Sequence, residues 1–388
     1  MALSRRRFVT RSAATLGAAA LAGVLAACGA PTATAPARPA ASPQPVTPAA
    51  AVTSPSIATG ATTAASGYGP DWKLAAPARI AVIHSGALIQ APLFVARERG
   101  LFERFNLDVS LETGNAAEVG PLMARGEIKA VATGLSAATL NLVDRDPNAY
   151  LFIAANSVIP PDGVGSVGLL ARKDLYDSGQ ITTVADLKGR RLGVAALWDG
   201  LAYSTGALLQ EGGLGFGDVE RVELGSYPAV LAALKGESIE AAAVFEPLLS
   251  AAVAQGLGVV VSQKAAPGLQ ETFLWANRDW ATQERDQAVA FLAGIVLAQR
   301  ELNGKGFLDS QLAPIVEGYT KLTAGQLQQM AKPAFARNAE INAADMARYQ
   351  DFFLAAPGKP LGYAQPLDLG AQVDRAAIAS ALQVVGRE

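Results

Sequence analysis

Between residues 79 and 276, short runs rich in Val, Ile and Leu alternate with Ala- and Leu-rich segments of helical period, and after about residue 282 the strand-like runs stop. Strands separated by helices need both sheet faces covered, so this alternation predicts an α/β architecture. The strands are expected at 79–83, 107–112, 130–133, 151–155, 167–172, 191–194, 218–224, 241–245, 259–262 and 272–276. The helical remainder reads most clearly over 283–302, 309–320, 323–332 and 343–355. Two stretches echo each other, Leu122-Met123-Ala124-Arg125-Gly126-Glu127-Ile128-Lys129-Ala130 and Ala233-Leu234-Lys235-Gly236-Glu237-Ser238-Ile239-Glu240-Ala241. Each reads as a helix stopped by glycine and then a turn into a buried strand, which points to two similar lobes.

The first 27 residues belong to no fold. Arg5, Arg6, Arg7 and Arg11 precede an uncharged stretch from Ser12 to Ala27, the pattern of an export signal. Ser4-Arg5-Arg6-Arg7-Phe8-Val9 is similar to a twin-arginine signal, whose route carries folded proteins; an ordinary basic start is the alternative. Leu25-Ala26-Ala27-Cys28 resembles the lipobox of bacterial lipoproteins, and Cys28 is the only cysteine in the chain. The expected result is a lipid on Cys28, anchoring the protein to the outer face of a cell membrane. Residues 29–70 hold eight prolines and a single charge, Arg38, among Ala, Thr, Ser and Gly. Such a segment cannot bury enough apolar surface to fold. It reads as a tether, spanning roughly 35–40 Å as a flexible chain.

The remaining stretch, about 318 residues, is long enough for two cored lobes. Loss of the leader moves the formal charge from −2 to −6, which gives no electrostatic basis for binding nucleic acid.

Within this part, Ala91-Pro92-Leu93-Phe94-Val95-Ala96-Arg97-Glu98-Arg99-Gly100-Leu101-Phe102, followed by Asn106-Leu107-Asp108-Val109, resembles the opening of the substrate-binding proteins of ABC importers for nitrate, sulfonates, taurine, thiamine pyrimidines and flavins. Val184-Ala185-Asp186-Leu187-Lys188-Gly189-Arg190-Arg191-Leu192-Gly193-Val194, the run from Gly236-Glu237 to Phe245-Glu246-Pro247, and Val373-Asp374 before a last helix agree with it. Lys129 departs from the resemblance, since an acid often follows the glycine turn there. The resemblance covers nearly all of 78–388. It implies a two-lobed periplasmic-binding-protein clamp of type II, with doubly wound mixed sheets and a helical C-terminal tail. Mapped onto this chain, lobe one is 78–165 plus 263–388 and lobe two is 166–262. The implied partners are a small-molecule ligand, a membrane permease and its ATPase.

In open α/β sheets, ligands lie at the carboxyl ends of the strands, where helix N-termini begin. Four such loops are legible: His84-Ser85-Gly86-Ala87, whose amides are expected to be open to an oxyanion; Thr133 to Ser136; Ala195 to Tyr203, with Trp198 and Asp199; and Phe245-Glu246-Pro247. The candidate ligand contacts are therefore His84, Ser85, Thr133, Ser136, Trp198, Asp199, Tyr203 and Glu246. Ser136 equally suits a helix cap, and Glu246 a helix start. Trp198, in a glycine-flanked loop, suits a stacking wall for a flat ligand. Trp275 and Trp280 read as core or hinge, and Trp72 as an anchor at the domain edge.

Gly163-Val164-Gly165-Ser166-Val167-Gly168 matches the G-x-G-x-x-G dinucleotide pattern, but a strand, not a helix, is expected after it, so no nucleotide cofactor is expected. With one histidine, His84, and one cysteine, multi-ligand zinc sites are excluded, and no catalytic constellation is readable. The thiamine-pyrimidine synthases related to the family depend on histidine and cysteine residues that this chain lacks. Loop amides and hydroxyls suit a sulfonate or nitrate, while Trp198, Asp199, Tyr203 and Glu246 suit a pyrimidine- or flavin-like heterocycle. No arginine sits in the four loops, which favours the heterocycle.

Overall fold

The computed structural model describes residues 67–114 and 116–388. The export signal, Cys28 and the tether up to residue 66 lie outside the described residues. In chain order the strands are β1 (Ala78–His84), β2 (Leu107–Thr113), β3 (Ala130–Gly134), β4 (Tyr150–Ala155), β5 (Ser157–Val158), β6 (Val164–Arg172), β7 (Arg191–Val194), β8 (Glu220–Glu223), β9 (Ala241–Phe245), β10 (Gly258–Lys264), β11 (Thr272–Asn277) and β12 (Ala334–Phe335). All ten strands expected from the sequence are present, two of them with the expected bounds.

The strands form two five-stranded sheets built on one plan. The first runs β2-β1-β3-β11-β4, and the second, read from the equivalent edge, runs β8-β7-β9-β6-β10. In the first, β1 pairs in parallel with β2 and β3, while β11 is antiparallel to β3 and β4. In the second, β7 pairs in parallel with β8 and β9, while β6 is antiparallel to β9 and β10. The echoing sequences occupy equivalent places. Each leads from a helix, Ala116–Ala124 or Tyr227–Lys235, into β3 or β9 beside the first strand of its sheet. The turn's positive φ falls on Gly126 in one and on Glu237 in the other, which accounts for the offset of one residue.

Helices cover both faces of each sheet. The helix Arg285–Lys305 buries Val289, Phe291, Leu292, Ile295 and Val296 against the first sheet. Gly294 lets it approach closely, since a Cβ there would lie 2.5 Å from Phe102 Cδ1. The opposite face packs Met123, Leu140 and Val143 with Tyr349 and Phe353 of the helix Ala343–Ala355. That tail helix has its expected bounds. Two others are shorter, Pro314 setting the start of Ala313–Thr320 and Thr323 capping Ala324–Gln329, and the helix expected over 283–302 is shifted to Arg285–Lys305, with Arg278–Gln283 a separate helix before it.

Two chain segments connect the sheets, 156–166 and 263–272. They run antiparallel and are tied by Asn156 N–H to Thr272 O (2.9 Å), Glu271 N–H to Ser157 O (2.9 Å), Ile159 N–H to Leu269 O (2.8 Å) and Ala265 N–H to Gly163 O (2.8 Å). The G-x-G-x-x-G run lies here and opens β6. Its glycines serve packing: a Cβ on Gly168 would lie 2.6 Å from Leu249 Cδ2, and one on Gly165 3.2 Å from Ala265 Cβ. Among the described residues no helix is long and apolar enough to cross a membrane.

Candidate functional site

The carboxyl ends of β1, β3 and β7 face one another across a cavity of about 690 Å³. That volume is within the range of cavities that enclose small organic molecules. From the first sheet it is lined by His84, Ser85, Gln90, Thr133, Ser136 and Asn141, and from the second by Trp198, Asp199 and Glu223.

The loop after β1 is closed by its own side chains. Gln90 is buried, and its Oε1 accepts the Ser85 amide (2.9 Å), the Ser85 hydroxyl (3.2 Å) and the Ala87 amide (3.3 Å). Its Nε2 donates to Ala132 O at 3.1 Å. The Gly86 amide donates to His84 Nδ1 at 3.2 Å, and burial lowers the pKa of that imidazole against a weaker opposing pull from Glu112. The sequence expectation of loop amides open to an oxyanion is thus corrected, because Gln90 and His84 take them.

Ser136 caps the helix Ala137–Arg145, its Oγ accepting the Thr139 amide at 3.1 Å. The same helix start meets the second sheet directly. Ala137 N–H donates to Trp198 O at 3.4 Å, and Gly134 and Gly200 pass backbone to backbone.

The Trp198 ring packs edge-on against Phe216 (centroids 5.6 Å apart) and Phe353 (6.4 Å). The Arg221 guanidinium lies over both Trp198 (4.2 Å) and Phe216 (4.0 Å) and donates to Leu197 O at 2.9 Å. Trp198 is therefore a wall of the cavity built by three parts of the chain, Phe353 coming from the C-terminal tail. Beside it, burial raises the pKa of the Asp199 carboxyl, opposed by the Tyr227 hydroxyl and by backbone amides, Leu201 N–H among them (2.9 Å). A loop from the tail closes one side, with Asn141 Nδ2 donating to Pro360 O (3.0 Å) and Gly362 N–H to Asn141 Oδ1 (2.7 Å).

Six of the eight sequence candidates meet at this cavity: His84, Ser85, Thr133, Ser136, Trp198 and Asp199. Tyr203 and Glu246 do not line it. Tyr203 packs on Tyr349 with centroids 4.2 Å apart. Glu246 is buried under the helix Leu248–Ala254, accepting the Ser250 amide (3.0 Å) and hydroxyl (2.9 Å) and the Ala331 amide (3.3 Å). Its carboxylate is spent on holding the second sheet's helix to the tail. Trp275, read as core or hinge, is buried in β11 and also lines the cavity, and its indole Nε1, itself buried, has no partner among the described residues. Trp280 is core, its Nε1 donating to Gln287, and Trp72 packs on Tyr68 at the domain edge. The sequence reading missed Gln90, Asn141 and Glu223. Only Gln90 carried a signal, a polar residue directly before the apolar start of a helix.

Residues 76–315 match the model of the NMT1-like family. The chain belongs to the NMT1-like family. Comparison with curated proteins gave no match. Among solved structures, the alkanesulfonate-binding protein SsuA from Xanthomonas axonopodis pv. citri, bound to MOPS, is 16% identical with a TM-score of 0.59, covering 77% of this chain and 99% of that one. The periplasmic nitrate-binding protein NrtA from Synechocystis PCC 6803 is 16% identical with a TM-score of 0.59, covering 82% and 90%. The desulfurization enzyme DSZB is 16% identical with a TM-score of 0.57, covering 78% and 98%. At these identities the likeness is one of fold. NMT1-like chains of this architecture are two-lobed α/β clamps, here with two mixed sheets and a helical tail.

Proposed function

We propose that this chain is the extracytoplasmic solute-binding component of an ABC import system, which captures a small organic solute between two lobes and delivers it to a permease and its ATPase. The observation that carries the reading is the cavity itself, formed where the carboxyl ends of strands from both sheets meet and lined by loops of each. Family membership and the fold shared with alkanesulfonate- and nitrate-binding proteins support it.

The moving bodies are residues 78–165 plus 263–388 and residues 166–262, joined by the two crossing segments. Solute contacts from both bodies favour the closed clamp, and the permease distinguishes it from the open one. The ligand contacts are His84, Ser85, Thr133, Ser136, Trp198 and Asp199. The lipid on Cys28 and the tether keep the receptor near its permease at the outer face of the membrane.

A thermal-shift screen against pyrimidines, flavins, sulfonates and nitrate tests the reading. A true solute at about 100 times its Kd stabilises by roughly 2.7 kcal/mol. A panel in which nothing shifts the transition, or in which the stabilising compound is consumed, counts against it. An enzymatic reading has one observation in its favour, the fold shared with the desulfurization enzyme DSZB, and turnover in that screen would establish it.

A further inference from the structure

We infer that Gln90 is a specificity determinant that occupies the oxyanion position of the cavity, so that the solute is a neutral or cationic organic molecule and not a sulfonate, sulfate or nitrate. The inference rests on the reading of this cavity as the solute site.

An anion held without a cationic side chain needs converging backbone N–H groups, and helix starts supply them. Here the amides of Ser85, Gly86, Ala87, Ala137 and Thr139 are already engaged by uncharged parts of the protein. Gln90 Oε1 takes Ser85 N–H, Ser85 Oγ–H and Ala87 N–H at 2.9, 3.2 and 3.3 Å. Its orientation is fixed by chemistry. With the amide turned over, Nε2 would face the two backbone donors and Oε1 would face the Ala132 carbonyl, so every bond between Gln90 and the backbone would be lost. Gly86 N–H goes to His84 Nδ1 (3.2 Å), Ala137 N–H to Trp198 O (3.4 Å) and Thr139 N–H to Ser136 Oγ (3.1 Å).

Charge points the same way. Among the described residues lining the cavity there is no lysine or arginine, whereas Asp199 and Glu223 are present. Arg221 is turned behind the Trp198 ring and donates to Leu197 O. No cationic side chain in the cavity offsets the desolvation cost of enclosing an anion beside two carboxylates. The carboxylates suit N–H groups of a solute. A solute that carries N–H donors fits beside them.

The test is isothermal titration of the full chain and of Gln90→Ala with ethanesulfonate, sulfate and nitrate. Wild type is expected to give no saturable heat with any of them at roughly millimolar concentration. Gln90→Ala frees three donors and is expected to gain saturable anion binding, at least about tenfold tighter than wild type. Gln90→Glu keeps the acceptor and adds a charge, and is expected to stay blind to anions. Sub-millimolar binding of a sulfonate by wild type overturns the inference while upholding the solute-receptor reading. A natively folded Gln90→Ala without anion binding also overturns it. Should Gln90→Ala fail to fold, the wild-type and Gln90→Glu titrations decide. The receptor reading fails on a different result, the absence of saturable binding by any organic solute.

Discussion

The Tyr227 hydroxyl donates to Asp199 Oδ2 at 2.5 Å, joining the first turn of the helix Tyr227–Lys235 to the floor of the cavity. The pair is half-buried, and burial is the larger cause of the raised pKa of the phenol, with the adjacent carboxylate second. Tyr227→Phe removes the donor and leaves Asp199 to its backbone bonds. A hydrogen bond to a charged group contributes about 1.5–3 kcal/mol, and a loss in that range is expected in urea titrations. A change below a few tenths of a kcal/mol would show that the backbone amides alone hold Asp199.

Trp198→Ala removes the ring on which Arg221 and Phe216 pack, and with it a wall of the cavity. Solute affinity is expected to fall by about 1–3 kcal/mol for a stacked ring. Calorimetry that returned the wild-type Kd would take Trp198 out of the binding site and leave it a packing residue.

Glu271 carries a pH dependence. It sits at the end of one crossing segment, and its Oε2 has no partner among the described residues. Burial pushes its carboxyl up to about 7, against a hydrogen bond from Ser166 that lowers it. The native state therefore holds a proton that the unfolded chain releases near pH 4.5. The associated stability is full below that pH and is lost as pH rises through about 7, on the order of 3 kcal/mol in all. Gln has no such titration. Glu271→Gln is expected to flatten the stability profile between about pH 5 and 8, with its advantage over wild type greatest at the alkaline end. Parallel profiles for the two proteins would refute the assignment.

Gly206→Ala tests closure. Gly206 lies in the helix Ala202–Glu211, and a Cβ there would overlap the Phe352 ring on the tail helix. The substitution improves helix propensity by about 0.8–1 kcal/mol while pressing the two helices apart. Retained folding with weakened solute binding is expected, read by circular dichroism and calorimetry. Unchanged affinity would mean that the contact plays no part in holding the lobes together.

These tests turn on contacts that the sequence exposes unevenly. The bounds of Ala241–Phe245 were legible because its small and β-branched apolar residues lie between Glu240 and Glu246-Pro247, and the start of Arg191–Val194 because it follows the turn Lys188-Gly189-Arg190. The loops with His84, Ser85, Thr133, Ser136, Trp198 and Asp199 were legible for a topological reason, since each follows a parallel strand. Glu246 follows a parallel strand too, but its carboxylate turns under its own helix to Ser250 and across to Ala331, a partner 85 residues away. Tyr203 was lost in the same way, to Tyr349. Gln90 was missed because its role lies in the direction of one amide group, which composition and periodicity do not record.

The placement of β11 has a consequence for how the chain acquires its shape. β11 fills the gap between β3 and β4, yet it is made more than a hundred residues after either. The second sheet can be completed from a single unbroken stretch, Val164 to Lys264, as that stretch emerges. The first must wait with its centre open until the second is finished and the chain returns. The sheet that begins first in the chain is therefore the one completed last.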